Sequence, residues 1–256
     1  MGYESKQRPE IIKKPGIAIV LAAGRGSRMK SAVPKQYLPL NGRPVLAWSL
    51  AAFQESDRVG EILLVTSEEE IDFCRNEIVE RYGLDKVTGI IPGGAERYLS
   101  VWEGLKAARD LISTDIENDT DRYVWIHDGA RPLIDAELLE RVYGAVVRHK
   151  ACVTGMPAKD TIKVSDPDGF VKETPDRRAL WMVQTPQVFS FPLVWEAYRK
   201  LIDAGICDVT DDAMVVERMT GRKVKLVEGS YSNLKITTPD DLKIAEVLLQ
   251  KEKRSK

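Results

Sequence analysis

The stretch GIAIVLAAGRGSRMKSAVPKQYLPLNGRP, Gly16 to Pro44, carries the signal that decides the fold. Its first seven residues, Gly16 to Ala22, form an unbroken apolar run rich in β-branched side chains, the pattern of a strand buried on both faces of a parallel sheet. A polar, glycine-containing loop follows at once. It brings Arg25, Arg28, Lys30 and Lys35 within a dozen residues, at the carboxyl end of the strand, where open α/β sheets bind ligands. Working outward, Glu61–Thr66, Lys86–Ile91, Tyr123–His127 and Ala151–Pro157 read as further strands. Between them Val45–Gln54, Glu68–Tyr82, Tyr98–Leu111 and Ala136–His149 repeat apolar residues at three and four positions, as helices do. The alternation predicts an α/β chain with a doubly wound, mostly parallel, Rossmann-like sheet.

The alternation breaks at TIKVS, Thr161–Ser165, and FVKET, Phe170–Thr174, which flank the turn sequence Asp166-Pro167-Asp168-Gly169. This predicts a protruding β-hairpin arm at about residues 158–176. A two-stranded hairpin is marginal in water by itself, so the arm is expected to pack on a second copy of the chain, as a homodimer. The α/β pattern resumes near Phe191, and the last helix starts at Thr238-Pro239-Asp240-Asp241, where capping hydroxyl, proline and acids suit a helix start. Residues 1–15 read as a polar lead and residues 16–250 as a single domain that includes the arm.

The 256 residues contain 43% hydrophobic and 30% charged residues, an ordinary globular mixture. Lys plus Arg number 38 against 39 for Asp plus Glu, so no bulk positive field suits nucleic acid, and none is expected as a partner. Cys74, Cys152 and Cys207 are too scattered for a zinc knuckle or a disulfide framework. With no apolar run approaching a membrane span and no secretion-type leader, the expectation is a cytoplasmic protein without a membrane partner.

The loop at Leu21–Pro44 combines Gly24 and Gly26, which admit close backbone approach, with its four cations, the equipment for a triphosphate. Met29 stands where a dinucleotide fingerprint needs its third glycine, and the phosphate loop GxxxxGK[ST] is absent. At HDGARP, His127–Pro132, Asp128 leaves a strand end beside Gly129 and is a candidate magnesium ligand, since magnesium takes one or two carboxylates with phosphate oxygens and water. A chain-turning aspartate is the bland alternative. Gly93, Gly94, Arg97 and Ser100 open another helix, with Arg97 either near a base or ribose or paired with a surface acid. Lys235 follows a strand in this reading, facing either the site or solvent. His127 and His149 lack triad partners, and the five tryptophans read as core or interface aromatics.

Taken in order, LAAGRGSRM, PKQYLPLNGRPVL, HDGARP, DTIK, PDRRALWMVQTPQ, TDDAMVVE and SNLKITTPDDL resemble the cytidylyltransferase family of the non-mevalonate isoprenoid pathway, over about Gly16 to Leu249. The resemblance implies that CMP is transferred from CTP to 2-C-methyl-D-erythritol 4-phosphate, with Mg²⁺ as cofactor. Arg28 and Lys35 match the cations on the triphosphate, Asp128 the magnesium ligand, and Lys235 a substrate-phosphate contact. Contacts to cytosine and ribose fall on Ala22, Ala23, Gly24, Gly94 and Ser100, with Gly26, Arg97 and Gly129 also at the nucleotide. Thr161 and Arg177 match the hairpin arm that reaches into the neighbouring subunit, and Thr185 a position lining the substrate pocket. Two departures are Leu21, where some relatives have proline, and Ala95, where some have an acid. Ribitol 5-phosphate cytidylyltransferases share the loop and the lysine, and form the alternative activity. A nicotinamide-dependent reductase and a non-catalytic nucleotide-binding protein are the rivals from other classes.

Overall fold

The computed structural model describes residues 14–24, 29, 33–112 and 121–254. In β1 (Gly16–Leu21), Ala18 and Val20 enter one core while Ile17 and Ile19 enter another, all four fully buried. The period-two alternation of a strand thus explains why the run is apolar throughout: both of its faces are covered. A small antiparallel pair, β2 (Pro39–Leu40) and β3 (Arg43–Pro44), turns at Asn41 and Gly42, both at positive φ, and leads into α1 (Val45–Gln54). Then come β4 (Val59–Thr66), α2 (Ile71–Phe73), β5 (Val87–Pro92), α3 (Arg97–Leu111), β6 (Tyr123–Asp128), α4 (Ala136–His149) and β7 (Ala151–Pro157). The arm consists of β8 (Val164–Ser165) and β9 (Val171–Glu173), and the remainder of β10 (Trp181–Ser190), α5 (Phe191–Asp203), α6 (Asp212–Thr220), β11 (Lys225–Glu228) and α7 (Pro239–Arg254).

The central sheet has the order β11-β7-β10-β6-β1-β4-β5. Every neighbouring pair is parallel except those of β10, which runs against both β6 and β7. One face is covered by α1, α4 and the π-helical turn Cys74–Glu80, through Leu50, Phe53, Ile78, Leu138 and Val142; the other by α3, α5 and α6, through Leu105, Val194, Leu201 and Val216. The sheet is doubly wound, as expected. From β1 the chain moves outward to β4 and β5, then returns to place β6 on the other side of β1. The crevice beyond the carboxyl ends of β1 and β6 is therefore the topological switch point, where ligands bind in such sheets.

Three elements differ from the sequence reading. The stretch expected as one helix, 68–82, is a 3₁₀ turn (Glu68–Glu70), then α2, then the π-helical turn. β10 has no counterpart in the sequence reading, and β11 enters it only as a strand without bounds before Lys235. Pro186 lies in the middle of β10 and argues against a central strand, because proline has no N–H for the ladder. The sheet absorbs it by skipping register between Val183 and Gln187, the place where the missing donor costs least. At the start of α7, Asp241 Oδ2 accepts from the Thr238 N–H at 2.8 Å, while Thr238 Oγ1 receives the Asp241 N–H at 3.4 Å. This is a capping box at the predicted position.

Candidate functional site

In the β1–β6 ladder Leu21 pairs with Asp128, and the Gly129 N–H donates to the Leu21 carbonyl at 2.8 Å. Asp128 is thereby carried level with the loop Ala22–Gly24. Those loop residues, Lys35, Gln36, the Gly94–Arg97 segment, Ser100, Asp128 and Lys235 enclose a cavity of about 190 Å³. α3 approaches the loop closely because residue 93 is glycine: a Cβ there would lie 2.7 Å from the Ala23 Cβ and 2.8 Å from Ser100 Oγ. Ser100 Oγ receives the Gly94 N–H at 3.2 Å and fixes this turn against the helix start. Glu96, the N-cap, places no side chain on the first N–H groups of α3, so the positive helix end borders the cavity. Lys35 opens a 3₁₀ turn anchored by the next two residues, Gln36 to the Ala22 carbonyl at 2.6 Å and Tyr37 to Thr66 Oγ1 at 2.9 Å.

A second cavity, of about 560 Å³, adjoins the first and is bordered by Arg131, Gln184, Thr185, Asp211 and Glu217 among others. Arg97, Asp128 and Lys235 border both cavities. Lys235 Nζ donates to Asp128 Oδ2 at 2.7 Å, and Arg97 Nε to Asp128 Oδ1 at 3.2 Å. The remaining fork of Arg97 binds Asp212 through two hydrogen bonds of 2.9 Å, and Tyr198 adds its hydroxyl to Asp212 at 2.6 Å. Burial opposes ionisation of Asp128, yet Arg97 and Lys235 hold its carboxyl far below the usual carboxylate range. Burial likewise works against the Arg97 charge, and Asp212 and Asp128 more than offset it. The wall between the cavities is thus a fixed chain of alternating charges.

Lys235 follows β11, as the sequence suggested, but not directly. It lies in an irregular segment after β11, held beside the β6 end by the Ile236 N–H on the Ala130 carbonyl (2.8 Å) and by Arg131 on the Asn233 carbonyl (2.7 Å). Behind Asp128, Thr185 Oγ1 receives the Asp128 N–H at 3.1 Å and lies 3.0 Å from His127 Nδ1; His127 Nε2 lies 3.1 Å from the Arg131 carbonyl. A neutral imidazole protonated on Nε2 satisfies all three contacts. Burial pushes the His127 pKa down to about 4. In the unfolded chain this histidine protonates near 6.5 and in the folded protein only near 4, so the unfolded state takes up the proton first. Stability is expected to fall by about 3 kcal/mol as pH drops through that window. Denaturant unfolding between pH 4 and 7 should show this loss in the wild type and a flatter profile in His127→Gln; an identical slope would place the titrating group elsewhere.

Ala22, Ala23, Gly24, Lys35, Gly94, Arg97, Ser100, Asp128 and Lys235, predicted separately, converge on the first cavity, and Thr185 lies on the second. Gly129 does not border either cavity. It is buried where a Cβ would meet Leu46 at 2.7 Å and the Leu21 carbonyl at 3.0 Å, so its place is in the packing of β6 against β1. Arg97 pairs with two buried acids rather than a surface one. Thr161 and Arg177 lie exposed on the arm and its base, away from both cavities of their own chain. Gly26 and Arg28 lie outside the described residues. Gln36, Arg131 and Asp212 were not singled out from the sequence. In TDDAM either aspartate suits a helix cap; Asp211 takes that place, accepting the Met214 N–H at 2.9 Å, and Asp212 turns inward.

Among the described residues no cluster of three or more His, Cys, Asp or Glu side chains could hold a metal ion by itself. Asp128, although bonded to Lys235 and Arg97 through its two oxygens, borders both cavities, and a magnesium ion held there would take its other ligands from phosphate oxygens and water.

Two cavities that meet across one carboxylate and its cations suit the joining of two phosphate-bearing molecules. This is the layout of a nucleotidyltransferase. The profile of the IspD family, 2-C-methyl-D-erythritol 4-phosphate cytidylyltransferase, matches residues 17–251. Proteins of that name from Lachnospira eligens and Caldanaerobacter subterraneus subsp. tengcongensis are 50% and 46% identical over 234 residues, covering 91% of this chain and 98% of each relative. The crystal structure of 4-diphosphocytidyl-2C-methyl-D-erythritol synthase from Anaerococcus prevotii superposes with a TM-score of 0.75 at 34% identity, over 93% of this chain and 99% of that one. The chain belongs to the 2-C-methyl-D-erythritol 4-phosphate cytidylyltransferase family.

Proposed function

We propose that the chain transfers CMP from CTP to 2-C-methyl-D-erythritol 4-phosphate, giving 4-diphosphocytidyl-2-C-methyl-D-erythritol and pyrophosphate in isoprenoid precursor biosynthesis. The observation that carries this reading is the pair of adjoining cavities sharing Arg97, Asp128 and Lys235. CTP takes the first cavity, its base and ribose against Ala22, Ala23, Gly24, Gly94 and Ser100 and its triphosphate near Lys35, with Arg28 as the second triphosphate cation. The sugar phosphate takes the second, with Thr185 at its wall. Its phosphate oxygen attacks the α-phosphorus in line, and pyrophosphate leaves. A phosphate monoester is largely dianionic at neutral pH, its second pKa being about 6, so no side chain has to remove a proton from the nucleophile. What the chain supplies is charge and alignment: two mutually repelling anions must approach, and Lys35 borders the first cavity while Lys235 borders both. Magnesium, when bound by Asp128 and phosphate oxygens, would neutralise further phosphate charge.

The acceptor end of the second cavity is completed in this reading by Thr161 and Arg177 from the arm of a second subunit. The support is exposure: Phe170 is 73% and Val171 60% exposed, and Ile162 and Val164 also face outward, apolar side chains that a partner would cover. Three free thiols suit a reducing, cytoplasmic compartment, and no helix among the described residues is long and apolar enough to cross a membrane.

Pyrophosphate release from the purified protein with CTP and Mg²⁺ tests the reading, with methylerythritol phosphate in one reaction and ribitol 5-phosphate in another. Release with the first acceptor alone is the expected result. Release with the second alone would preserve the mechanism and replace the substrate, and silence with both would overturn the transferase assignment.

A further inference from the structure

Gln36 borders the first cavity and is 4% exposed. Its amide is oriented by the backbone, because Nε2 donates to the Ala22 carbonyl at 2.6 Å. Rotating the amide by a half-turn would set Oε1 against that carbonyl oxygen, acceptor against acceptor, so the orientation is fixed. Among the described residues nothing hydrogen-bonds Oε1. Oε1 is not sealed off as the rest of the side chain is, so the cavity that Gln36 borders is offered an amide acceptor held in place by the backbone.

Two neighbours locate this oxygen relative to the nucleotide. The Ala22 carbonyl that Nε2 holds belongs to the loop at the β1 end, and Tyr37, the next residue, is fastened to Thr66 at the end of β4. Gln36 thus borders the cavity beyond the carboxyl ends of β1 and β4, beside the loop assigned to the base, whereas Lys35 before it is assigned to the triphosphate. Cytosine and uracil differ on their outer edge at position 4, an amino donor in one and a carbonyl acceptor in the other. We propose that Gln36 is a nucleotide-specificity residue: its Oε1 accepts a hydrogen bond from the 4-amino group of cytosine, and the Ala22 carbonyl prevents the amide flip that would let it serve uracil. Glutamine alone is ambidextrous, and the backbone contact makes it selective. The inference rests on the reading of the first cavity as the CTP site.

The test measures kcat/KM for CTP, UTP and the triphosphate of the cytidine analogue that lacks the 4-amino group, in the wild type and in Gln36→Leu, which keeps the shape and removes both polar atoms. In the variant the CTP-to-UTP preference should fall by about tenfold or more. Removing the amino group from the nucleotide should harm the wild type and leave the variant nearly indifferent, a coupling that a purely structural role would not produce. Equal loss with all three nucleotides would reduce Gln36 to a clamp on Ala22 and overturn the proposal. Should the leucine variant melt early, the wild type alone still decides, because equal use of CTP and the analogue lacking the amino group would also overturn it. Wild-type silence with CTP and methylerythritol phosphate would instead remove the CTP reading itself, and the role of Gln36 with it.

Discussion

Lys235→Ala is expected to lower kcat for pyrophosphate release by two to three orders of magnitude, the range seen when a preorganised charge-stabilising donor is deleted. Lys235 Nζ sits 2.7 Å from Asp128 Oδ2 on the wall shared by the two cavities, so in the proposed transfer its charge would serve both the incoming phosphate and the centre it attacks. Its loss has a second consequence. Asp128, 11% exposed at its side chain, would keep only Arg97, itself divided between two carboxylates. The negative charge left at the junction would repel both substrates, so KM for the acceptor should rise as well. Stability should change far less than rate, because the Lys235 side chain is 35% exposed and its ion pair is screened by water. Steady-state kinetics with a thermal melt separate these effects; a loss of less than tenfold in kcat would remove Lys235 from the transfer step. Lys235→Arg keeps the charge but exchanges a compact ammonium for a wide fork, and recovery by it would show that charge rather than shape is required.

The route from residues to this site was uneven. β1 and its loop were legible because two signals coincide there: an apolar run that only a doubly covered strand explains, and glycines with cations at its carboxyl end. Asp128 and Lys235 were legible as candidates, but their contact was not, since 107 residues separate them and the segment carrying Lys235 has no periodicity. β10 was hidden by Pro186, which sits at a register skip that sequence patterning does not reveal. With β10 unseen, nothing in the sequence placed Thr185 behind Asp128. Asp212 was hidden by its neighbour, because two adjacent aspartates before a helix read as one cap and one first-turn acid, whereas the second reaches Arg97 and Tyr198 in the interior. Gln36 was hidden beside Lys35. A neutral amide next to a lysine draws no attention until its contact with the Ala22 carbonyl is seen.

Mixing two inactive variants should restore activity, which is the sharpest consequence of a site completed by a second subunit. Arg177 makes its side-chain hydrogen bond to the Lys159 carbonyl at the base of the arm, 2.9 Å away, and borders neither cavity of its own chain. If it serves the neighbour's acceptor phosphate, Arg177→Ala and Lys235→Ala homodimers each have two crippled sites. A mixed dimer differs: one site combines the Lys235→Ala body with the Arg177→Ala arm and loses both groups, while the other combines an intact body with an intact arm. Random assembly makes about half the dimers mixed, each with one native site of two, so a co-refolded equimolar mixture should reach about a quarter of wild-type activity. That is a gain of orders of magnitude over either variant alone. The same proteins mixed without refolding should stay inactive for as long as subunits do not exchange, which controls for contamination. If the co-refolded mixture stays at the level of its parents while each variant is shown to be dimeric, Arg177 acts within its own chain or not at all. If each variant is monomeric and Arg177→Ala retains full activity, the exposed apolar side chains of the arm serve some contact other than the site.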